Sequence, residues 1–242
     1  MLQPCFSRLT RVLVVFCLAG ILTACESLQG WPVAGDTGTQ EGSTASPLVN
    51  AVRQTLVLSS DRATTALSAP GGYANNPALR ITLPSQLDTV TQTLRQFGMG
   101  QYVDKLEARM NEGAEQAAVE AKAVFLSTIR EMSITDALGI VRGGETAATD
   151  YFRSQTESTL RQRYQPIIRQ NLEKVGFYDQ YRLVLDVYNT LPVSNRLNLD
   201  LEQYVLNQGL DGLFGRMAEE EQLIRRDPLG RGSQVINAIF GG

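Results

Sequence analysis

One residue of this chain is placed for covalent chemistry. Cys25 follows Leu22, Thr23 and Ala24, which close an apolar run from Val12 that has Arg8 and Arg11 ahead of it. A charged start, a short apolar core and small residues make the pattern of a secretory signal peptide. The run falls short of the roughly 20 apolar residues needed to span a bilayer. Small side chains at Thr23 and Ala24 let a peptidase grip the backbone, so cleavage is expected between Ala24 and Cys25. Two plainer readings compete: an ordinary signal peptide with a chance cysteine, and a residual membrane helix.

Leu22-Thr23-Ala24-Cys25 is similar to the lipobox of bacterial lipoproteins: an aliphatic residue, two small residues and a cysteine. The resemblance implies a diacylglyceryl thioether on Cys25, cleavage before it and acylation of the new amino group. Burial at about 0.8 kcal/mol per methylene makes two or three acyl chains a firm membrane anchor. Glu26 follows the cysteine where aspartate would favour inner-membrane retention in enteric-type sorting. The resemblance therefore implies the outer membrane, facing the periplasm.

Other chemistry is limited by composition. Cys5 and Cys17 lie in the segment to be removed and the lipid occupies Cys25, so no disulfide is expected. There is no histidine, which excludes Ser-His-Asp and Cys-His catalysis and His-ligated zinc. No EF-hand loop, P-loop or G-x-S-x-G occurs. We therefore name no catalytic residue, no metal ligand and no cofactor. Removing residues 1–24 takes away two arginines and no acid, so the net charge goes from −3 to −5. That balance argues against nucleic acid as a partner.

Four clusters remain as candidate sites, and each has a bland explanation that is preferred. Glu219, Glu220 and Glu221 with Arg225, Arg226 and Asp227 would suit acid–base or cation chemistry; a solvated helix face, with Glu221 and Arg225 as a surface pair, is expected instead. Gly209, Gly212 and Gly215 could bare backbone to a ligand; close helix packing is expected. The stretch Ala147 to Phe152 opens a helix whose free amides could hold an anion, although ordinary helix initiation explains it. Arg153, Arg161, Arg163, Arg169 and Lys174 could meet head groups or cell-wall polymers; a solvated face is expected.

The elements around these residues are helical. Residues 26–46 are rich in Gly, Ser and Thr and read as a flexible tether with a reach on the order of 25 Å. Within it Trp31 could rest at the membrane interface or be an incidental exposed aromatic. Ser46-Pro47 is an N-cap followed by proline at the first helical position. Ser85 with Asp88 resembles a capping box, and Gly98 and Gly100 stop the helix it starts. A longer helix from Val103 to Ile129 carries Ala114, Ala117 and Ala121, which admit a close neighbour. Ser133 and Asp136 cap a short helix. The next, from about Glu145 to Val175, is expected to be the longest, with Pro166 kinking or splitting it. A segment from Phe177 to Leu191 is bounded by Pro192. Asn198 or Asp200 starts the last long helix, and the apolar stripe Val235, Ile236, Ile239 and Phe240 predicts a docked tail.

Several stretches carry a wider likeness. They are Asn76-Pro77 with Arg80-Ile81 and Leu83-Pro84; Asn111 with Ala114, Ala117 and Ala118; Asp136-Ala137 and Ala147-Ala148-Thr149 with Tyr151-Phe152; and Tyr204-Val205, Leu210 to Phe214, Glu219 to Glu221, Ile224-Arg225 and Asp227-Pro228. From about Pro47 to Phe240 the chain resembles bacterial domain-of-unknown-function family 4197. The resemblance implies an all-helical secreted domain, often a lipoprotein, with no assigned activity or catalytic residues. Gly113 departs from the alanine common among relatives and predicts a weak point in its helix, by about 1 kcal/mol.

The expected organisation is a signal peptide (1–24), a lipidated cysteine and linker (25–46) and one all-α domain (47–242). Anchored through Cys25, it reads as a non-enzymatic envelope binding or scaffold protein, with an envelope protein or lipid as partner. Carriage of a lipid or other apolar ligand is the alternative and predicts an apolar cavity. A hydrolase using only carboxylates ranks last and predicts two of them in one cleft. No residue stands out as a ligand-binding position, and no oligomeric state is specified.

Overall fold

In a computed structural model the described residues are 46–190 and 200–241. The signal segment, Ala24, Cys25, Trp31 and the tether to residue 45 lie outside them, as do Leu191, Pro192 and Asn198. Among the described residues the chain is all-α: α1 (Pro47–Ser68), α2 (Asp88–Gln96), α3 (Gly100–Glu131), α4 (Ala137–Arg142), α5 (Ala147–Lys174), α6 (Phe177–Asn189), α7 (Leu201–Arg226) and α8 (Gln234–Phe240).

The capping residues set these boundaries. The Ser46 side chain accepts from the Val49 amide at 3.3 Å, with Pro47 behind it. Asp136, without Ser133, caps α4 by accepting from Gly139, and Asp200 caps α7 by accepting from Gln203, both at 2.8 Å. Ser233 caps α8. The Ser85 box does not form. Ser85–Leu87 is a 3-10 turn without a side-chain cap, and Asp88 opens α2. Gly98, at φ 73°, breaks the chain where expected, whereas Gly100 begins α3.

Two helices run differently from expectation. α3, with 32 residues, is longer than α5, with 28. Pro166 does not split α5, because it and Gln162, whose carbonyl it orphans, are both exposed and solvent meets that carbonyl. Tyr164 and Ile168 on the opposite face hold both halves in the core. Gly113 does not interrupt α3. A Cβ there would lie 2.5 Å from Leu172 Cδ2, so its absence lets α5 approach.

α1, α3, α5 and α7 form a four-helix ring in which α1 and α5 each pack against α3 and α7. Arg53 reaches the Met132 carbonyl while Lys122 pairs with Asp61, so α1 and α3 are antiparallel. Phe125 against Phe152 and Asn171 against Glu120 give the same sense for α3 and α5. Arg153 with Asp211 and Arg169 with Glu202 give it for α5 and α7. Tyr73, just beyond α1, reaches Gly209, whereas Gln54 near its start meets Ser233, which closes an up-down-up-down bundle. Phe125, Phe152 and Phe214 fill its centre, with ring centroids 5.6–6.0 Å apart. The tail docks through Ile236, fully buried, while Val235 faces solvent.

Candidate functional site

The densest charge cluster of the sequence is not a solvated face. Glu221 is 0% and Glu220 4% exposed. Both follow the apolar stripe of α7: Met217, Glu220, Glu221 and Ile224 step by three and four and all are buried. That register is the sequence signal that places them inside. A buried carboxylate is unstable unless paired and hydrogen-bonded, and Glu221 is fully engaged. One oxygen accepts from the Ala148 amide at 2.9 Å and Arg225 Nε at 2.8 Å. The other accepts from the Thr149 amide and hydroxyl, both at 2.7 Å.

The helix start at Ala147–Phe152 therefore does hold an anion, and that anion is the chain's own Glu221. Free N–H groups and the helix dipole favour it there. Arg225, part-buried beside it, extends the network by donating to the last carbonyls of α4, Ile140 at 3.0 Å and Val141 at 3.2 Å. The Phe240 ring covers its guanidinium at 4.5 Å. One acid–base pair thus caps the end of α4 and the start of α5. Glu220 bonds Arg216 at 2.5 Å and faces Arg62 at 3.7 Å and Arg231 at 3.9 Å. Glu219 and Arg226 are exposed, pairing with Arg216 and Glu145. Asp227 caps the turn at Gly230.

A second polar constellation, at the other end of the bundle, holds the segment between α1 and α2. Glu107, Asn111 and Glu115 recur every four residues on one face of α3. Glu115 accepts from the amides of Gly71, Tyr73 and Ala74, each at 3.1 Å. Asn111 accepts from the Ile81 amide at 2.9 Å and donates to its carbonyl at 2.7 Å. Glu107 accepts from Leu83 at 3.0 Å. Asn111 entered the sequence reading only through a resemblance, and the two glutamates did not enter it.

The glycines of α7 serve this same segment. The Tyr73 hydroxyl donates to the Gly209 carbonyl at 2.7 Å, and a Cβ on Gly212 would meet the Tyr73 ring at 2.6 Å. Close packing, as expected, explains Gly212. Burial pushes the Tyr73 hydroxyl well above its usual pKa, with smaller contributions from Tyr164 and Glu115. Burial likewise raises Tyr164, whose hydroxyl has no hydrogen-bond partner among the described residues.

The arginines of α5 are paired. Arg153 bonds Glu157 and Asp211, Arg161 bonds Glu157 and Asn207, Arg163 bonds Glu131, and Arg169 bonds Glu202. The hydrogen bond from Arg153, helped by Arg161, holds the Glu157 carboxyl below its usual range. These four arginines form a lattice of ion pairs, and Lys174, at the end of α5, is exposed with no ion pair among the described residues.

Among the described residues, shallow clefts of about 130, 250 and 160 Å³ open on the bundle, and these are lined by no carboxylate, by Glu131 and by Asp211 respectively. Among the described residues no group of His, Cys, Asp and Glu is arranged to hold a metal ion. No described helix is long and apolar enough to cross a membrane. Ala24 and Cys25 lie outside the described residues.

Residues 42–241 match a family model described as "Protein of unknown function (DUF4197)". No curated protein and no solved structure matches the chain. The family match takes in the whole helical bundle, including the Glu221–Arg225 network and the α3 clamp, and the chain belongs to the DUF4197 family.

Proposed function

We propose that this protein is a lipid-anchored component of the bacterial cell envelope whose helical bundle is a non-enzymatic binding or scaffold module. The anchor reading rests on Leu22-Thr23-Ala24-Cys25 behind a short apolar run. In it Cys25 carries the lipid, cleavage falls after Ala24, and the protein sits on the outer membrane facing the periplasm.

One observation carries the non-enzymatic part: the buried carboxylates are engaged in holding the fold. Glu115 binds three backbone amides, Glu221 binds two amides, a hydroxyl and an arginine, and Glu220 is ringed by three arginines. None of the three lines the clefts described above. The deciding experiment compares the full chain with Cys25→Ser in a bacterial host. The native chain is expected to incorporate labelled palmitate and fractionate with the outer membrane, and the variant to do neither. Equal labelling or equal fractionation would overturn the anchor. Crosslinking of the acylated protein in cells then reads the binding role, which falls if neither protein nor lipid associates.

A further inference from the structure

The about 250 Å³ cleft lies between the C-terminal end of α3 and the first half of α5. It is below the range of about 300–1,000 Å³ typical for drug-sized ligands. Two side-chain bridges join α3 and its C-terminal flank to α5 beside it. In one, Arg163 donates to Glu131 at 2.8 Å and to the hydroxyls of Ser127 and Thr128 at 3.3 Å. In the other, the Tyr151 hydroxyl donates to the Ser133 carbonyl at 3.1 Å.

Its lining has a definite chemistry. The ionic groups at the rim, Glu131 and Arg163, neutralise one another. Thr128 and Thr156 donate their hydroxyls to the Val124 and Phe152 carbonyls, at 2.8 and 2.5 Å, which leaves their oxygens as acceptors; Arg163 already uses Thr128, and Thr156 has no other partner among the described residues. Among the described residues the hydroxyls of Ser133 and Thr159 make no hydrogen bond. Gln155 has only a 3.4 Å contact with Ser154. Met132 supplies one apolar patch. Fixed acceptors beside free hydroxyls and an amide suit a ligand whose own groups both donate and accept. An apolar ligand would strand these groups without partners.

We propose that this cleft binds a neutral polyhydroxylated ligand, one pyranose ring of a glycan. The proposal rests on the binding-module reading above but not on the anchor. In it Thr159, Ser133 and Gln155 bond the ring hydroxyls, and Met132 packs against a C–H face.

The test uses the full chain with isotope-labelled methionine methyl groups. Among the described methionines Met132 alone lines the cleft, while Met99, Met110 and Met217 report on the rest of the bundle. The chain is titrated with methyl β-glucopyranoside and, separately, with tri-N-acetylglucosamine. The Met132 signal should shift saturably with at least one sugar while the other three stay fixed. Thr159→Val combined with Gln155→Ala should weaken that response about tenfold. Thr159→Ser, which keeps the hydroxyl, should retain it. Fixed signals from Met110 and Met217 certify that each variant is folded. A Met132 signal that ignores both sugars, or that responds equally in the double variant, would overturn the site. A failure of palmitate labelling leaves this readout unaffected, and a silent Met132 leaves the anchor unaffected.

Discussion

Replacing Glu221 by glutamine keeps the shape and removes the charge. One oxygen of Glu221 serves Ala148 and Arg225, and the other serves the amide and hydroxyl of Thr149. Whichever way the new amide turns, its NH₂ faces donors. A buried backbone amide left without an acceptor costs about 1–3 kcal/mol. Arg225, with 11% of its side chain exposed, loses its counter-charge as well, and removing one partner of a buried pair costs about 3–5 kcal/mol. The two effects share the same atoms and do not add, so the expected loss is about 3–5 kcal/mol. Against a domain stability of about 5–15 kcal/mol that is a large fraction. Urea unfolding of the full chain, followed by circular dichroism, measures it. Glu219→Gln is the control, since Glu219 is exposed and should stay within about 0.5 kcal/mol of the native chain. The double variant Glu221→Gln, Arg225→Met should cost less than the sum of its parts, by about 0.5–3 kcal/mol. A Glu221→Gln protein no less stable than Glu219→Gln would refute the reading of this network as what holds α4, α5 and α7 together.

Gly212→Ala should destabilise by about 1–3 kcal/mol, because its Cβ would collide with the Tyr73 ring at 2.6 Å. Gly215→Ala should stabilise by up to about 1 kcal/mol, since its nearest neighbour is Leu79 at 3.9 Å; equal effects in thermal melts would rule out this distinction. Burial holds Tyr73 well above the usual tyrosine pKa, so its contribution is complete below about pH 10 and is lost as the pH rises beyond it. Tyr73→Phe should cost about 1 kcal/mol at neutral pH through the lost bond to Gly209, and make the alkaline fall shallower in urea titrations across pH. Glu157 is held below its usual pKa by Arg153, so the stability it adds is present above about pH 4.3 and is lost as the pH falls through the lowered value. Glu157→Gln should flatten acid unfolding only slightly, because the side chain is 33% exposed.

What the sequence made legible follows from how local each signal is. Ser46, Asp136 and Asp200 cap helices because a short polar side chain meets an amide three residues on, and that needs no tertiary context. The all-α class follows from periodicity, and the docked tail from its apolar stripe. Three adjacent glutamates read as solvated because burial depends on partners more than 70 residues away. The apolar register of α7 held the missing information, since it passes through Glu220 and Glu221. Pro166 leaves α5 continuous for a related reason: the cost of its lost bond depends on whether the orphaned carbonyl faces water. The α3 clamp was hidden because Glu107 and Glu115 recognise main-chain amides, and a main-chain partner leaves no trace in side-chain pattern.

The reach of Glu221 also bears on the order in which the molecule can be completed. Its contacts to Ala148 and Thr149 span 73 and 72 residues. The start of α5 therefore waits for a side chain made much later, and contacts of such separation slow folding. A nascent chain that has emerged only through α6 has every core residue of α5 but no acceptor for its leading amides. Chains that end before Glu221 are accordingly expected to be loosely packed and open to proteases, because the acceptor for the Ala148 and Thr149 amides is missing.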